Sequence, residues 1–328
     1  MISVVIPAFK RKECVLQLLE TVFRQQGAQF EVIVVDDQCP ERTGEAVAQS
    51  FPQARVLRQE ANGGPAVARN RGIRQALGEY VVGLDSDTLL PDQDTFAAVE
   101  TVFRAYPAVD GLAFHLLTPD GRSEDTMRWW HPVPIASGAN RPFLTNYFSG
   151  TAYAFRKKAV MEAGLFPELF YMHFEEVDLA YRLMDRGGSI LYCPNLRAIH
   201  HEHPASKRGL ARTYYKPRNQ VLMALGIFPA AKIITYLAPR LGYGLCNSAL
   251  HGYFRAYLRG LASAARLAPA RWKERRPVRN DTLRRTASFR RLAAEIPESA
   301  GARFPGCRIA GLTDAGQQPR KEPLPFHL

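Results

Sequence analysis

The chain has 328 residues, 46% of them hydrophobic and 23% charged, which is enough apolar sequence for a sizeable core and too much for a disordered polymer. Five cysteines (Cys14, Cys39, Cys193, Cys246 and Cys307) are scattered without a CxxC pair, which argues against a disulfide framework or a cysteine zinc site and suits a reducing cytoplasm. The net charge of +12 is divided unevenly: residues 207–328 hold 23 Lys/Arg against 6 Asp/Glu, and residues 1–206 hold 20 against 25.

The N-terminus, MISVVIPAF, enters a buried-strand pattern directly, without the basic lead or cleavage site of a secretory signal. Ile2–Pro7 reads as a strand stopped by proline, and Lys12–Arg24 as a helix with Val15, Leu18, Leu19 and Val22 on one face. Phe30–Val35 is a second strand, ending at Asp36-Asp37. Ala46–Phe51 reads as helix, Ala54–Leu57 as a short strand, and Gly64–Leu77 as a helix after a glycine turn. Tyr80–Leu84 is a strong strand ending at Asp85-Ser86-Asp87, and Thr95–Tyr106 is helical. Strands alternating with helices imply an α/β fold with a mainly parallel sheet covered on both faces.

Residues 111–150, with Trp129 and Trp130, read as a strand plus a long loop. Two helical pieces, Met161–Gly164 and Phe174–Asp185, flank an aromatic loop. Ile190–Cys193 is a strand closing onto Pro194, followed by His200, His201 and His203. Three units follow: a catalytic domain over 1–209, an amphipathic helical region over 210–269 for a membrane interface or a dimer contact, and a basic Pro/Arg-rich tail over 270–328, partly disordered. The longest uncharged stretches of the helical region fall short of the roughly 18–20 apolar residues that a membrane span needs.

Ligands of such sheets bind beyond the carboxyl ends of the strands, where both acidic clusters lie. In Asp85-Ser86-Asp87, a DxD motif, alternate residues of an extended segment share a face, so both carboxylates can turn to one cation. Hard oxygen ligands of this kind select Mg²⁺ or Mn²⁺. The same residues would serve equally as a helix or turn cap. Asp36-Asp37 can accept hydrogen bonds from a nucleobase or ribose, or simply close a turn. Glu175, Glu176 and Asp178 open a helix (EEVDLAYRLMDRG). There they either offset the helix dipole or supply a general base. His200 follows a strand that can return it to the same site as a metal ligand.

VVIPAF, VIVVDD, NGGPAVARNRGI, YVVGLDSD, FSGTAYAFRKKAVMEAGLFPE, FEEVDLAYRL and AIHHEHPAS followed by YYKPRN, in this order over about residues 1–223, together resemble glycosyltransferase family 2. The rhamnosyltransferase-like members that build bacterial surface polysaccharides are the most similar. The resemblance implies a GT-A fold, in which a Rossmann-like sheet binds a nucleotide sugar, and an inverting single displacement. By position, Pro7, Asp36, Asp37 and Arg69 would line the nucleoside pocket and Asp85 would contact ribose or metal. Asp87 would bind Mn²⁺ or Mg²⁺, with His200 completing the metal site. Glu176 would be the base, with Glu175 and Asp178 as alternatives, where the family's acidic pair usually reads Glu-Asp. Gln38-Cys39-Pro40 also departs from the Gly-Ser common after Asp-Asp. Trp129, Trp130, Tyr171 and His173 would border the acceptor or serve as core aromatics.

The implied partners are a nucleotide-diphosphate sugar, UDP- or dTDP-linked, and a glycan or lipid-linked acceptor. A cytoplasmic location on the inner face of the membrane, an anionic membrane surface, and a homodimer are consistent with the basic half. Two other classes were weighed. A nucleotidyltransferase would need a GxGxR-type loop near the N-terminus, which is missing. A nucleic-acid-binding role would rest on the basic C-terminal half, which has no aromatic-interleaved motif, so no nucleic acid is expected. The sequence thus commits to one geometry: Asp37, Asp87 and Glu176 meeting around a divalent ion at one sheet edge.

Overall fold

The computed structural model describes residues 1–201, 209–296, 304–306, 309–310 and 312. In chain order its first half runs β1 (Ile2–Ala8), α1 (Lys12–Phe23), β2 (Phe30–Asp36), α2 (Thr43–Ser50), β3 (Arg55–Arg58), α3 (Gly64–Gln75), β4 (Tyr80–Leu84), β5 (Thr88–Leu89), α4 (Thr95–Ala105) and β6 (Gly111–Leu117). There follow α5 (Ile135–Gly138), β7 (Phe143–Thr145), β8 (Ala152–Arg156), α6 (Lys157–Glu162), α7 (Glu175–Asp185) and β9 (Ile190–His200). Then come α8 (Gly209–Ile227), α9 (Ala230–Leu250), α10 (Phe254–Lys273) and α11 (Asn280–Ala294).

The nine strands form one sheet in the order β3-β2-β1-β4-β8-β6-β9-β5, with β7 also on β9. From the pairings, β1, β2, β3, β4, β6 and β9 run one way and β5, β7 and β8 the other, so the sheet is mixed and mainly parallel. Every residue of β1 is buried, as expected of a central parallel strand covered on both faces. Val15, Leu18, Leu19 and Val22 of α1 are buried as their spacing requires. Each such side chain contributes about 1.5–3 kcal/mol by leaving water.

Three expectations needed correction. The strand from Ile190 does not stop at Pro194 but continues to His200. A register shift between Phe114 and His115 of β6 lets it pass, since a bulge absorbs a residue that has no N–H to pair. The region 111–150 carries the strand β7 and the short helix α5 as well as loops. The stretch read as an irregular tail contains α11, whose Phe289 and Ala293 join the main core with Ile296. Its buried positions Thr282, Thr286, Phe289 and Ala293 have helical spacing that the surrounding arginines obscure. His203 and Cys307 lie outside the described residues.

Arginines fasten the C-terminal helices to the sheet domain. Arg271 donates to Asp178 at 2.7 Å and Arg285 to the carbonyl of Gly188 at 3.0 Å, while Arg275 ties the end of α10 to the end of α8 through the carbonyl of Phe228 at 2.7 Å. A second apolar core joins Phe170 and Phe174 to Leu222, Met223 and Ile227 of α8. Among the described residues no helix is long and apolar enough to cross a membrane.

Candidate active site

The parallel order β2-β1-β4 brings three carboxyl ends side by side, so Asp36-Asp37, the loop after Ala8, and Asp85-Ser86-Asp87 share one edge. Pro7 lies buried in β1 opposite Val35. Both oxygens of Asp36 accept from its own loop, the N–H of Cys39 at 2.7 Å and that of Gly44 at 3.0 Å. Asp37 reaches across the edge instead. Its carboxylate accepts the N–H of Gly63 at 2.9 Å and of Gly64 at 2.8 Å, pinning the turn that starts α3. Gly64 has φ +82°, and a Cβ there would lie 2.5 Å from the ring of Tyr171, so glycine is required twice over. Tyr171 donates to Asn62 at 2.8 Å and stacks on Tyr215.

Arg69, buried in α3 on from that turn, links the acidic groups. Its Nη2 donates to Asp85 Oδ1 at 2.7 Å and its Nη1 to Glu175 Oε1 at 3.1 Å. Glu176 Oε1 accepts the N–H of Gly150 at 3.3 Å, and a Cβ on Gly150 would crowd both Arg69 and Glu176. Glu175 is 2% exposed, and among the described residues its Oε2 has no hydrogen-bond partner. Burial, reinforced by the neighbouring Glu176, pushes the Glu175 carboxyl well above its ordinary value. Burial also raises Glu176, against the opposing pull of Arg69. The two glutamates therefore form a basic carboxyl pair beside one guanidinium. Asp178 stands apart from them, because its oxygens are taken by Arg182 at 2.6 Å and Arg271 at 2.7 Å.

The segment before α7 is strained, with positive φ at Tyr171, His173 and Phe174, none of them glycine. Asn219 of α8 holds it by donating to the carbonyls of Phe170 at 2.9 Å, Met172 at 2.6 Å and His173 at 2.8 Å. Burial, with the cations of Arg212, Lys216 and Arg128, pulls His173 down to about 4, so its ring is neutral at neutral pH.

On the other side of β4, Asp87 is ion-paired with Arg11 and lies 3.7 Å from His200 Nε2. The strand β9 delivers His200 opposite Thr88 of β5. His200 Nδ1 lies 3.0 Å from Asp125 Oδ2. Both ring nitrogens therefore face carboxylates, and although burial acts against the charged ring, Asp125 and Asp87 outweigh it and raise the affinity of His200 for a proton. Burial and the hydrogen bond from His200, with Arg11, act on Asp87 in opposite senses, and the net effect is to lower its carboxyl.

The expected meeting of Asp37, Asp87 and Glu176 around one ion does not occur. The groups share the edge, but Asp37 is engaged with the glycine turn and Glu176 with Gly150. Among the described residues no three His, Cys, Asp or Glu side chains are placed to hold a metal together. Of the aromatics, Trp130 is 39% exposed and packs on Tyr147 and on Phe174 beside the glutamates. Trp129 turns inward, donating to the carbonyl of Val133 at 2.7 Å and packing on Phe143 and Tyr192. Sequence reasoning missed Arg11, Asp125 and Asn219. Asn219 ends the YYKPRN motif and was there to be found, whereas Asp125 sits in a loop without any local signal.

A mainly parallel sheet with one acidic edge and a glutamate-bearing helix beside it defines the GT-A class of fold. The mannosyltransferase PcManGT from Pyrobaculum calidifontis, solved with GDP-Man and Mn²⁺, superposes with TM-score 0.54 at 21% identity over 92% of this chain and 85% of that one. Residues 3–164, just under half of the chain, match the profile of glycosyl transferase family 2. An uncharacterized glycosyltransferase of Haemophilus influenzae is 41% identical over 87 residues, which are 26% of this chain and 29% of that protein. The succinoglycan biosynthesis protein ExoO of Rhizobium meliloti is 35% identical over 94 residues, 28% of this chain and 27% of that protein. The chain thus spans under a third of the length of these two curated relatives.

Proposed function

We propose that this protein is an inverting glycosyltransferase that moves a sugar from a nucleotide-diphosphate donor to a hydroxyl of a glycan or lipid-linked acceptor in surface polysaccharide synthesis. The observation that carries the proposal is the Arg69 bridge, which ties the donor-side Asp85 to the buried Glu175–Glu176 pair. The match of residues 3–164 to glycosyl transferase family 2 and the succinoglycan relative support the activity and its setting.

Pro7, Asp36, Asp37, Arg69 and Asp85 form the donor side. Asp37 and Arg69 act by shaping it, since Asp37 fixes the glycine turn and Arg69 fixes Asp85. Glu176 is the base, with Glu175 its buried neighbour. A carboxyl whose affinity for protons is raised takes up the acceptor hydroxyl proton more readily at neutral pH than an ordinary one. Because the neighbouring carboxyl holds its own proton more tightly as well, the pair titrates as a unit. Trp130 and Tyr171 border the acceptor, since sugar C–H faces pack on aromatic rings.

Asp87 and His200 fit a divalent cation. A carboxylate oxygen and an imidazole nitrogen 3.7 Å apart, with the imidazole oriented by Asp125, make a two-ligand seat of the kind that leaves remaining positions for substrate phosphates. Mn²⁺ or Mg²⁺ bound there supplies positive charge for the leaving diphosphate. The Arg11 guanidinium is ion-paired with Asp87 and balances its charge.

Thermal-shift measurements against UDP-, dTDP- and GDP-sugars with Mn²⁺ test the reading, because a true donor stabilises by mass action. One nucleotide-sugar class should raise the melting temperature, and the shift should vanish in Asp87→Ala. Absence of any shift and of any nucleoside diphosphate release across the panel would sink it.

A further inference from the structure

The helix α9 is apolar on both sides. Its inner side, through Ile233, Tyr236 and Leu237, packs on the core that α8 builds. The helix also leaves Ile234, Tyr243 and Leu250 exposed, at 71%, 73% and 83%. Ser248 is the only fully buried residue in its 21 positions, and Lys232 and Arg240 are its only charges. A helix that is hydrophobic all round belongs inside something. Across the turn after α9 the apolar surface continues with Phe254 and Leu258 at the start of α10, 42% and 43% exposed.

Charge selects what covers this surface. From His203 to Lys273 the sequence holds twelve Lys or Arg and no Asp or Glu. Lys232, Arg240, Arg255 and Arg259 are all exposed on the same two helix segments as the apolar residues. A second copy of the chain would bring an equally basic, acid-free face against this one, so that pairing is repelled. A lipid surface with anionic headgroups attracts the basic residues and takes the apolar side chains into the acyl boundary. Because no helix among the described residues is long and apolar enough to span, the contact is one of lying on the bilayer.

We infer that α9 and the first turns of α10 form a membrane-docking face for an anionic lipid surface. This face holds the protein at the bilayer independently of what the sheet edge binds. The connection to the site runs through α8, whose Asn219 clamps the loop before Glu175 and whose Tyr215 stacks on Tyr171.

The full chain is to be sedimented with vesicles of phosphatidylcholine alone and of phosphatidylcholine with phosphatidylglycerol. Two variants accompany it, Ile234→Glu/Tyr243→Glu/Leu250→Glu and Lys232→Glu/Arg240→Glu/Arg255→Glu/Arg259→Glu. The unmodified chain should bind the phosphatidylglycerol vesicles and leave them as salt is raised. Each basic residue near the surface is worth about fivefold in partitioning, so reversing four should weaken binding at least about 10²-fold. The triple variant should lose about tenfold or more, with an unchanged melting temperature, because all three side chains face outward. Failure of the unmodified chain to bind, or binding that is equal on neutral vesicles, overturns the inference whether or not the variants fold. So does a lipid-free dimer, seen by analytical ultracentrifugation, that the triple variant dissolves, since a second copy would then be the cover. Binding of nucleotide sugar is measured alongside and should be unaltered, which separates this result from any failure of the transfer chemistry.

Discussion

Arg69 and Glu175 stand 106 positions apart in the chain and meet at 3.1 Å inside the protein, both almost wholly buried. Among the described residues one oxygen of Glu175 has no hydrogen-bond partner, and burial, reinforced by Glu176, raises the affinity of its carboxyl for a proton well above the ordinary one.

Stability should register that proton. Glu175 binds it more tightly folded than unfolded, so its contribution is fully present below the ordinary value of 4.5 and is lost as pH rises through the folded-state titration. Glu175→Gln cannot ionise and escapes the loss. In urea titrations the variant should exceed the parent by about 1–3 kcal/mol near pH 8 and match it near pH 4. A gain that stays constant with pH would show that the carboxyl is already ionised when folded.

Turnover should depend on the other member of the pair. Glu176→Gln should keep donor affinity while losing about 10²–10⁴-fold in rate, the range for a general base. Measured release of nucleoside diphosphate with and without acceptor checks it. Near-parent turnover would move the role to Glu175.

Asp125 is expected to tune the cation seat through His200. Asp125→Asn removes the carboxylate that orients the ring, and Mn²⁺ affinity should fall about 10–100-fold in titration calorimetry. Far-UV circular dichroism should be unchanged. Undiminished affinity would assign Asp125 to loop closure alone, through its hydrogen bond to the N–H of Met127.

Asn219 should prove costly to lose, because it holds the loop before α7. Asn219→Ala removes the side-chain donor of the Met172 and His173 carbonyls, while the Phe170 carbonyl keeps the N–H of Met172 at 2.8 Å, in a segment with three residues at positive φ. A loss of about 1–3 kcal/mol for each group left unsatisfied sets the scale. Hydrogen exchange should quicken at residues 170–176 before it quickens in the sheet. Uniform exchange throughout would mean that the loop is held elsewhere.

Much of the frame was legible in one dimension because its signals are local. Continuous apolar runs and a period of 3.6 placed β1, α1, β2, β4 and α4 within a residue or two, since a strand covered on both faces is apolar throughout and a helix buries one face. The acidic clusters were placed at the carboxyl ends of β2 and β4 by the same means. Where a pattern was overlaid by charge, as in α11, the apolar spacing was present and went unread. Pro194 reads as a stop in the sequence because the bulge that lets β9 pass it is a property of the pairing with β6, not of the strand.

The sequence by itself determined which groups stand at the sheet edge: Asp36, Asp37, Asp85 and Asp87 at strand ends, and Glu175 and Glu176 in the first turn of α7. Local chain geometry suffices for that. Only the tertiary structure decided what each one touches. It engaged Asp36 with its own loop, Asp37 with the glycine turn, Asp178 with Arg182 and Arg271, and Asp87 with Arg11 and His200. Hydrogen bonds and ion pairs act over a few ångströms and ignore separation along the chain, so a carboxylate's partners, and with them its proton affinity, are settled when distant segments pack.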